Sequence, residues 1–323
     1  MKMTHYSVPK LLVDKGFRDI ENLSRAVGWD LDFRQIDQGS LSAHATLFGH
    51  SDIAVLRVEF DRSFHQIGRP PLGLVTFGLP DKETGVLRWS GVETPPGVLI
   101  NFNFDKNLDC VSPAPFGGFV LSFSQDVLRT ASGELGLDSN LFDKINASRF
   151  WDPEEHGISQ LRQVLLALLK VASDDGDEGL NRWADVFNSD IVNLMVRILA
   201  RDSLSPQLAG PIFRAAAMNR AVEILGNYNQ FPINIEALCT MVGASWATLQ
   251  RAFAEEYGVT PSSYIKSRRL AAVQSELIKK GSRVVISDVA NRWGFWHMGS
   301  FASDYRKQFG ELPSETLRRL KMH

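Results

Sequence analysis

Hydrophobic and polar residues alternate over short stretches in the first part of the chain, which is the pattern of strands with one buried face. Turn-forming pairs such as Pro70-Pro71, Pro80-Asp81 and Pro95-Pro96 separate these stretches. We predict strands at 42–48, 53–60, 72–77, 86–89, 98–102 and 118–123. Many short strands at this spacing are typical of a barrel or a sandwich. The segment 31–123 is therefore predicted to be all-β.

The pattern changes to helical spacing after residue 150. The segment 152–155 combines an N-cap aspartate, a proline at the first helical position and acidic residues in the first turn. An apolar stripe at Leu161, Leu165 and Leu168 follows it. After a Gly- and Asp-rich break at 173–179, a second amphipathic helix is predicted. Two such helices would either cover the open end of a barrel or pair with a second subunit.

The C-terminal region contains a tandem repeat. The first copy spans 238–262 and the second spans 289–314. The offset between the copies is 51 residues up to the glycine of each turn, Gly243 and Gly294, and 52 residues afterwards. One residue has therefore been inserted in the turn of the second copy.

Each copy has the features of a helix-turn-helix. A short apolar helix ends at a glycine, which can adopt the positive φ that turns the chain. The next helix sets apolar residues four apart to pack on the first; these are Leu249, Phe253 and Tyr257 in one copy and Phe301, Tyr305 and Phe309 in the other. Its other face is free to enter a major groove. A long helix from Thr260-Pro261 to Gly281 would hold the two units so that they meet grooves about 34 Å apart.

Several short motifs occur at fixed spacing in this region. They are LQRAF at 249–253, GVTPSSYI at 258–265, Arg269-Leu270, Gly294-Phe295 and FGELPSE at 309–315. With these motifs, the C-terminal region resembles the AraC/XylS transcription regulators. The resemblance implies a DNA-binding unit with two helix-turn-helix motifs. It implies more loosely that the preceding barrel and helices bind an effector and dimerise.

Three positions depart from the family pattern. Cys239 and Val273 stand where alanine is common, and Ser303 stands where many members carry arginine. The second recognition helix, predicted to begin at Trp296, is poor in charged side chains. We therefore expect the first motif to dominate sequence recognition and the second to contact mainly the DNA backbone or RNA polymerase.

The two recognition helices and the connecting helix supply the candidate DNA-binding residues. They are Trp246, Ala247, Thr248, Gln250, Arg251, Arg268, His297, Met298, Gly299, Ser300 and Ser303. Arginine bonds guanine and glutamine bonds adenine bidentately, each worth about 1–3 kcal/mol of discrimination. The alternatives are a solvated helix surface for Gln250 and Arg251, a hydrophobic lid for Trp246 and a core position for Met298. Arg268 is expected to face phosphate, whereas Arg269 is either structural or a contact.

Charge is unevenly divided along the 323 residues, although the net charge is −2. Of the 35 basic and 37 acidic residues, 15 and 9 lie from Arg214 onward, which leaves 20 and 28 before it. A basic C-terminal third is expected if it meets a polyanion; a basic surface of no consequence is the alternative. The length suggests two domains at about 150 residues each. We predict them at 1–205 and 214–323, with a linker at 206–213.

Composition restricts the cellular setting. Cys110 and Cys239 are too few for a disulfide scaffold or a Cys-rich zinc site, which favours a reducing cytoplasm. The N-terminal residues contain no apolar stretch, so we expect no secretion signal. No run approaches the roughly 18 apolar residues that span a bilayer. We expect no membrane association.

The predicted barrel carries no recognisable catalytic pattern. His44, His50 and His65 are scattered, and a single histidine is more often an ordinary hydrogen-bonding residue than a metal ligand. The chain also lacks a nucleophile elbow, a phosphate loop and paired catalytic carboxylates. We therefore expect no catalytic residue, no metal and no cofactor.

The ligand of the predicted barrel is not specified by the sequence. Arg57, Arg88 and Trp89 lie on predicted strands, and an inward arginine beside an aromatic ring would suit an anionic or aromatic molecule. Because strand register decides which side chains face inward, the effector-binding residues stay unassigned.

These observations predict a two-domain α+β protein. A cupin-like β-barrel sensor with helices precedes an all-α domain of two helix-turn-helix motifs joined by a long helix. The resemblance implies a cytoplasmic transcription regulator, more often an activator, that forms a homodimer. Its partners would be double-stranded promoter DNA, RNA polymerase and a small-molecule effector. Two alternatives stay open: a constitutive DNA-binding regulator whose N-terminal domain only dimerises, and a cupin-like enzyme with a DNA-binding tail.

Overall fold

Two units make up the chain in the computed structural model. The structure describes residues 8–28, 30–94, 97–104, 108–137, 140–151, 156–201, 221–222, 224, 235–242, 246–281 and 284–320. The first unit comprises 1–32, 42–61 and 66–207, and the second comprises 33–41, 62–65 and 208–323. The predicted linker at 206–213, the helix start at 152–155 and Gly243 lie outside the described residues.

The described strands form two antiparallel sheets. They are β1 (Lys10–Phe17), β2 (Asp30–Gln35), β3 (Ala43–Gly49), β4 (Ile53–Phe60), β5 (Phe64–Arg69), β6 (Leu74–Pro80), β7 (Leu87–Trp89), β8 (Val92–Thr94), β9 (Leu99–Asn101), β10 (Leu108–Ser112), β11 (Phe116–Ser124) and β12 (Phe150–Trp151). One sheet has the order β1-β3-β4-β11-β6-β9-β12 and the other β2-β5-β10-β7-β8. Neither order returns to its first strand. The described strands are therefore two open sheets, and they do not make the closed barrel that the pattern predicts.

Strand β11 is the centre of the larger sheet. It pairs with β4 from Phe116 to Phe123 and with β6 from Gly118 to Ser124. Alternate residues of β11 serve two different hydrophobic clusters, because successive side chains of a strand point to opposite faces. Phe119 belongs to the cluster that includes the helices, whereas Val120 packs against the cluster around Trp89. Both faces of this strand are therefore covered.

Helices cover one face of the larger sheet. They are α1 (Ile20–Val27), α2 (Gln125–Glu134), α3 (Leu141–Ala147), α4 (His156–Arg182) and α5 (Ile191–Leu199), with a π-helical turn at Val186–Asp190. Leu161, Leu165 and Leu168 of α4 are fully buried in one cluster with Phe119 of β11. The predicted apolar stripe thus packs within its own unit. The predicted break occurs as a kink at Gly176, whose φ is 56° and ψ −138°.

The second unit is helical. Its described helices are α6 (Ile235–Val242), α7 (Trp246–Tyr257), α8 (Pro261–Lys280), α9 (Ile286–Arg292), α10 (Met298–Phe309) and α11 (Pro313–Leu320). The long helix α8 begins where the sequence predicts, because the hydroxyl of Thr260 accepts a hydrogen bond from the Ser263 N–H at 3.2 Å and Pro261 occupies the first turn. No helix in the described ranges is long and apolar enough to cross a membrane.

The apolar residues predicted to lie four apart on the two recognition helices are all buried. They are Leu249, Phe253 and Tyr257 on α7 and Phe301, Tyr305 and Phe309 on α10. On α10 they join Leu270, Val273 and Leu277 of α8 and Val289 of α9 in one cluster. The connecting helix therefore forms part of the core of the second motif.

The two short N-terminal segments of the second unit make buried polar contacts. The His65 ring is fully buried, and its Nδ1 lies 2.5 Å from the Tyr264 hydroxyl. That hydroxyl also accepts a 3.2 Å hydrogen bond from Arg34. The Gln35 side-chain amide donates to the Gln308 carbonyl at 2.9 Å, and the Gln308 amide donates to the Gln35 carbonyl at 3.1 Å. Buried polar atoms are thus satisfied between distant parts of the sequence.

Candidate DNA-binding surface

The first recognition helix, α7, presents a polar face to solvent. Ala247, Gln250, Arg251 and Ala254 are exposed at three- and four-residue intervals, so they share one side of the helix. The opposite side carries the buried apolar residues described above. Within the part of the chain that the structure describes, Arg251 forms no ion pair. Its guanidinium and the Gln250 amide are therefore available to an external partner.

Two further candidates on α7 are less exposed. Trp246 and Thr248 are both half-buried at the start of the helix. A half-buried side chain can support the motif with its buried part and contact a ligand with its exposed edge. Their DNA contacts stay a prediction.

The second recognition helix, α10, begins later than predicted. It starts at Met298, so Trp296 and His297 lie in the turn before it. The predicted helix start at Trp296 is wrong because the inserted residue lengthens the turn. Met298 packs against the hydrophobic cluster of the second motif, which agrees with the core alternative.

The outward face of α10 carries small side chains. Gly299, Ser300 and Ser303 are exposed, and Arg306 and Lys307 follow one turn later. His297 is exposed immediately before the helix, where its side chain makes no capping hydrogen bond. This face therefore offers hydroxyl groups and backbone near its start and positive charge near its end.

The turn of the second motif depends on Gly294, whose φ is +79°. This is the left-handed conformation in which glycine carries no steric penalty. The Phe295 N–H then donates to the Ala290 carbonyl at 3.0 Å, and the Phe295 ring lies 5.2 Å from the Phe301 ring. The predicted role of this glycine is confirmed.

Glu276 of α8 joins the connecting helix to α9. Its Oε1 accepts from Lys280 at 2.7 Å and from Arg292 at 2.5 Å, while Oε2 accepts from the Trp293 indole N–H at 2.9 Å. Burial by itself raises the pKa of Glu276, but the hydrogen bonds from Lys280, Trp293 and Arg292 outweigh it and lower that pKa to about 2. The second motif is thus fixed on α8 by a charged network as well as by its core.

The arginines of α8 are less available than those of the recognition helices. Arg268 and Arg269 are both half-buried, and burial lowers the pKa of Arg269 below its ordinary value. The exposed arginines Arg251, Arg306 and Arg318 make no ion pair among the described residues. Exposed, uncompensated arginines are the side chains that bind phosphate most readily.

The arginines and tryptophan considered for effector binding have different environments in the first unit. Arg57 forms two hydrogen bonds to Asp81, at 2.8 and 2.7 Å, and its guanidinium lies 5.0 Å from the centre of the Phe119 ring. Burial alone lowers the pKa of Arg57, but hydrogen bonds with Asp81 and Glu59 outweigh it and raise that pKa. Arg88 instead pairs with Glu93 on the surface at 2.9 Å.

Trp89 is 1% exposed and stacks on Phe102, with ring centres 4.5 Å apart. It lies in a hydrophobic cluster with residues of β9 and β10. Its indole N–H has no hydrogen-bond partner among the described residues. The tryptophan is therefore inward-facing, whereas Arg57 is committed to carboxylates and Arg88 is at the surface.

The scattered histidines all have ordinary partners. His44 Nε2 lies 2.7 Å from Asp14, His50 Nε2 lies 2.7 Å from the Asn188 side chain, and His65 contacts Tyr264. In the described ranges, no three His, Cys, Asp or Glu residues are grouped to hold a metal ion. A cavity of about 540 Å³ lies beside Arg57 and is lined by Glu59, Asp81, Glu83 and Phe116 among others.

Comparisons with known proteins identify a helix-turn-helix domain in the C-terminal region. A family model described as a helix-turn-helix domain matches residues 238–319. A transcriptional activator of the XylDLEGF operon from Pseudomonas putida is 27% identical over 234 residues, which are 70% of this chain and 66% of the relative. A probable thc operon regulatory protein from Rhodococcus erythropolis is 34% identical over 99 residues, 30% of each chain. The chain belongs to the AraC/XylS family.

A solved structure is similar to about a third of this AraC/XylS protein. The crystal structure of a probable AraC family transcriptional regulator from Rhodopseudomonas palustris has 34% sequence identity and a TM-score of 0.31. The match covers 32% of this chain and 96% of that one. The chain thus spans 66% of the P. putida activator and nearly all of the R. palustris structure.

The structure adds residues that the sequence motifs do not identify. Glu276 and Trp293 are 17 positions apart and fall in different elements, so only the fold brings them together. Trp296 is an exposed residue in the turn before α10. The residue inserted in the turn of the second copy is the sequence signal that could have drawn attention to it.

Proposed function

We propose that this protein is a sequence-specific, DNA-binding regulator of transcription that acts as an activator. One observation carries the proposal: the exposed face of α7 bears Gln250 and Arg251, while the opposite face is buried against the rest of its motif. The names of the relatives, which are operon activators and regulators, support the same function. The similarity of the chain to regulators favours this function over an enzyme with a DNA-binding tail.

The proposed DNA contacts fall into two groups. In the first motif, Gln250 and Arg251 bond base edges in the major groove, with Ala247 and the outer edges of Trp246 and Thr248 beside them. The exposed Arg306 and Lys307 at the end of the second recognition helix bind phosphates and position the protein. In the second motif, the contacts come from His297, Met298, Gly299, Ser300 and Ser303. Arg268 completes the proposed set from the connecting helix.

The first unit is proposed to bind a small effector and to form a homodimer. We place the functional domains at 1–205 and 214–323, with 206–213 as linker. The buried indole N–H of Trp89, which has no partner among the described residues, supports a ligand that brings a hydrogen-bond acceptor. Occupancy of this unit would change DNA binding or contact with RNA polymerase in the cytoplasm.

Selection from the protein's own genome tests the DNA-binding function. Genomic fragments bound by the full-length protein at near-physiological salt are sequenced, and we expect a motif with two blocks about one helical turn apart. Salt-sensitive binding without any motif would contradict sequence-specific readout. Genes beside the recovered sites then supply candidate effectors.

The effector is tested on the same protein. An effector should change the Trp fluorescence of the wild-type protein, and a Trp89→Phe variant should reduce that change. A constitutive regulator whose first unit only dimerises predicts instead that no candidate raises the melting temperature or alters operator affinity. Light scattering with and without the ligand measures the molar mass of the protein in solution and so tests whether it is a dimer.

A further inference from the structure

Trp296 stands apart from the other tryptophans of the second unit. It is 68% exposed, whereas Trp246 and Trp293 are half-buried. An isolated exposed apolar residue is common on protein surfaces and needs no explanation by itself. Its position in the turn before a recognition helix is what makes Trp296 informative.

The turn before α10 is one residue longer than the turn before α7. Two residues separate Gly243 from the start of α7, and three separate Gly294 from the start of α10. Of those three, Phe295 packs against the core of the motif and bonds Ala290 through its N–H. The carbonyl of His297 accepts the Phe301 N–H at 2.9 Å and so opens the helix. Trp296 is therefore the residue of this turn that neither packs in the core of the motif nor forms one of these hydrogen bonds.

The backbone on both sides of Trp296 is anchored. Phe295 is held by its hydrogen bond and its ring contact, and His297 by the first hydrogen bond of α10. A large ring on such a turn loses little further freedom on binding, because its backbone is already fixed and tryptophan has few rotatable bonds. The turn thus presents a preorganised apolar surface beside the helix.

The exposed face of α10 next to Trp296 carries small side chains near its start. A helix with ordinary side chains is about 10–12 Å wide and fills a major groove about 12 Å wide. The small side chains of Gly299, Ser300 and Ser303 let the start of α10 approach the bases closely. They provide none of the arginine, asparagine or glutamine groups that bond bases bidentately. These three residues therefore cannot discriminate between bases by bidentate hydrogen bonds.

We infer that Trp296 is a specificity-determining residue of the second motif, whose indole ring contacts thymine methyl groups in the major groove. This inference rests on the proposed function and deepens it. The thymine 5-methyl is the one apolar group that the major groove displays, and apolar side chains recognise it. The second motif therefore selects A·T pairs by apolar contact, while the first selects bases by hydrogen bonds.

The test uses the operator recovered by selection and its thymine analogues. Replacing thymine by deoxyuridine removes only the methyl group and keeps every base-pair hydrogen bond. The block read by the first motif is the one whose preference relaxes in an Arg251→Ala variant, and the other block belongs to the second motif. Full-length wild type, Trp296→Ala, Trp296→Phe and, as a control, Trp183→Ala are compared by fluorescence anisotropy. Trp183 is 41% exposed and lies in the first unit.

We expect deoxyuridine in the second block to weaken wild-type binding by about fourfold for each contacted methyl. Trp296→Ala should bind the thymine operator more weakly by a similar or larger factor and show no further loss with deoxyuridine. Trp296→Phe should retain part of the methyl dependence, and Trp183→Ala all of it. Deoxyuridine in the block of the first motif should affect wild type and Trp296→Ala equally.

Two outcomes would overturn the assignment while leaving the proposed function intact. One is a Trp296→Ala protein that keeps the wild-type thymine dependence in the second block. The other is a folded Trp296→Ala protein, by circular dichroism, that loses affinity equally for all sequences. Failure of the wild type to bind any DNA would instead overturn the proposed function, and with it this inference.

Discussion

The Trp293 indole N–H donates a hydrogen bond to the Glu276 carboxylate at 2.9 Å. The same carboxylate accepts from Arg292, so two consecutive residues at the end of α9 are held by one side chain of α8. The ring of Trp293 also packs against the hydrophobic cluster of the second motif. The orientation of the second helix-turn-helix on the connecting helix is therefore set by both packing and charge.

Replacing Glu276 by glutamine should destabilise the second unit. The variant keeps a hydrogen-bond acceptor for Trp293 but loses the charge opposite Lys280 and Arg292, and we expect a cost of about 1–2 kcal/mol at pH 7. Urea denaturation followed by circular dichroism measures it. Glu134→Gln, which removes an exposed carboxylate from α2, is the control and should change little. Equal effects of the two substitutions would argue against the network.

The contribution of Glu276 should also depend on pH. Its pKa lies near 2 in the folded protein, below the ordinary value of 4.5, so folding favours the ionised form. The stabilisation is complete above about pH 4.5 and is lost as the pH falls toward 2. The difference in stability between wild type and Glu276→Gln should therefore shrink over this interval. A difference that stays constant from pH 6 to pH 3 would contradict the lowered pKa.

Substitution of Arg251 by alanine should relax sequence choice. Loss of a bidentate contact to guanine costs about 1–3 kcal/mol at one base pair, which is roughly a 5- to 150-fold loss for the preferred operator. Lys307→Ala is the matched comparison, because its exposed ammonium is proposed to bind phosphate. It should weaken all sequences alike and reduce the salt slope by about 1. Affinities for the operator and its single-base variants distinguish the two behaviours, and uniform weakening by Arg251→Ala would be incompatible with a base contact.

Two glycines of the second motif should respond to alanine in opposite directions. Gly294 has a φ of +79°, so alanine there is strained and should destabilise the protein by about 1–2 kcal/mol. Gly299 lies in α10, and a Cβ added there meets nothing within 4 Å. Gly299→Ala should stabilise folding by about 0.5–1 kcal/mol, because alanine loses less entropy in a helix. Thermal denaturation of both variants tests the pair, and the same sign for both would be inconsistent with the observed turn.

Removal of Asp81 should destabilise the first unit strongly. Its carboxylate accepts from both Arg57 and Arg162, whose side chains are 10% and 13% exposed. Asp81→Ala leaves two largely buried cations without this partner, at a cost of about 3–5 kcal/mol. Glu93→Gln breaks the exposed pair with Arg88 and should stay within about 0.5 kcal/mol. Chemical denaturation compares the two variants. Small effects of both substitutions would mean that water solvates Arg57 well enough to replace the Asp81 carboxylate.

The helical unit follows from local sequence signals to a large extent. The start of α8 at Thr260-Pro261 and the turn at Gly294 each depend on residues close in the chain, and both are observed as predicted. The N-terminal third was less predictable. Strands β1 and β5, at 10–17 and 64–69, contain charged or glycine residues that interrupt the alternation, so their pairing comes from neighbouring strands.

In the candidate site, too, some features follow from the local sequence and others depend on tertiary packing. The exposed positions of Gln250 and Arg251 follow from helical periodicity, since their neighbours Leu249 and Phe253 must be buried. The start of α10 did not follow from it, because an inserted residue can be absorbed by either the turn or the helix. Packing of Phe295 on Phe301 decides that the turn takes it and that Trp296 is exposed.

The sequence by itself determined the repeat, its two recognition helices, the connecting helix and the basic character of the region that carries them. Each depends on periodicity, capping or charge, which are properties of residues within a few turns of one another. Only the tertiary structure decided that the strands form two open sheets, that Arg57 pairs with Asp81, and that His65 is buried beside Tyr264, 199 positions away. Such contacts arise because buried charges and polar atoms must find partners wherever the chain brings them, and that choice is not encoded in any local pattern.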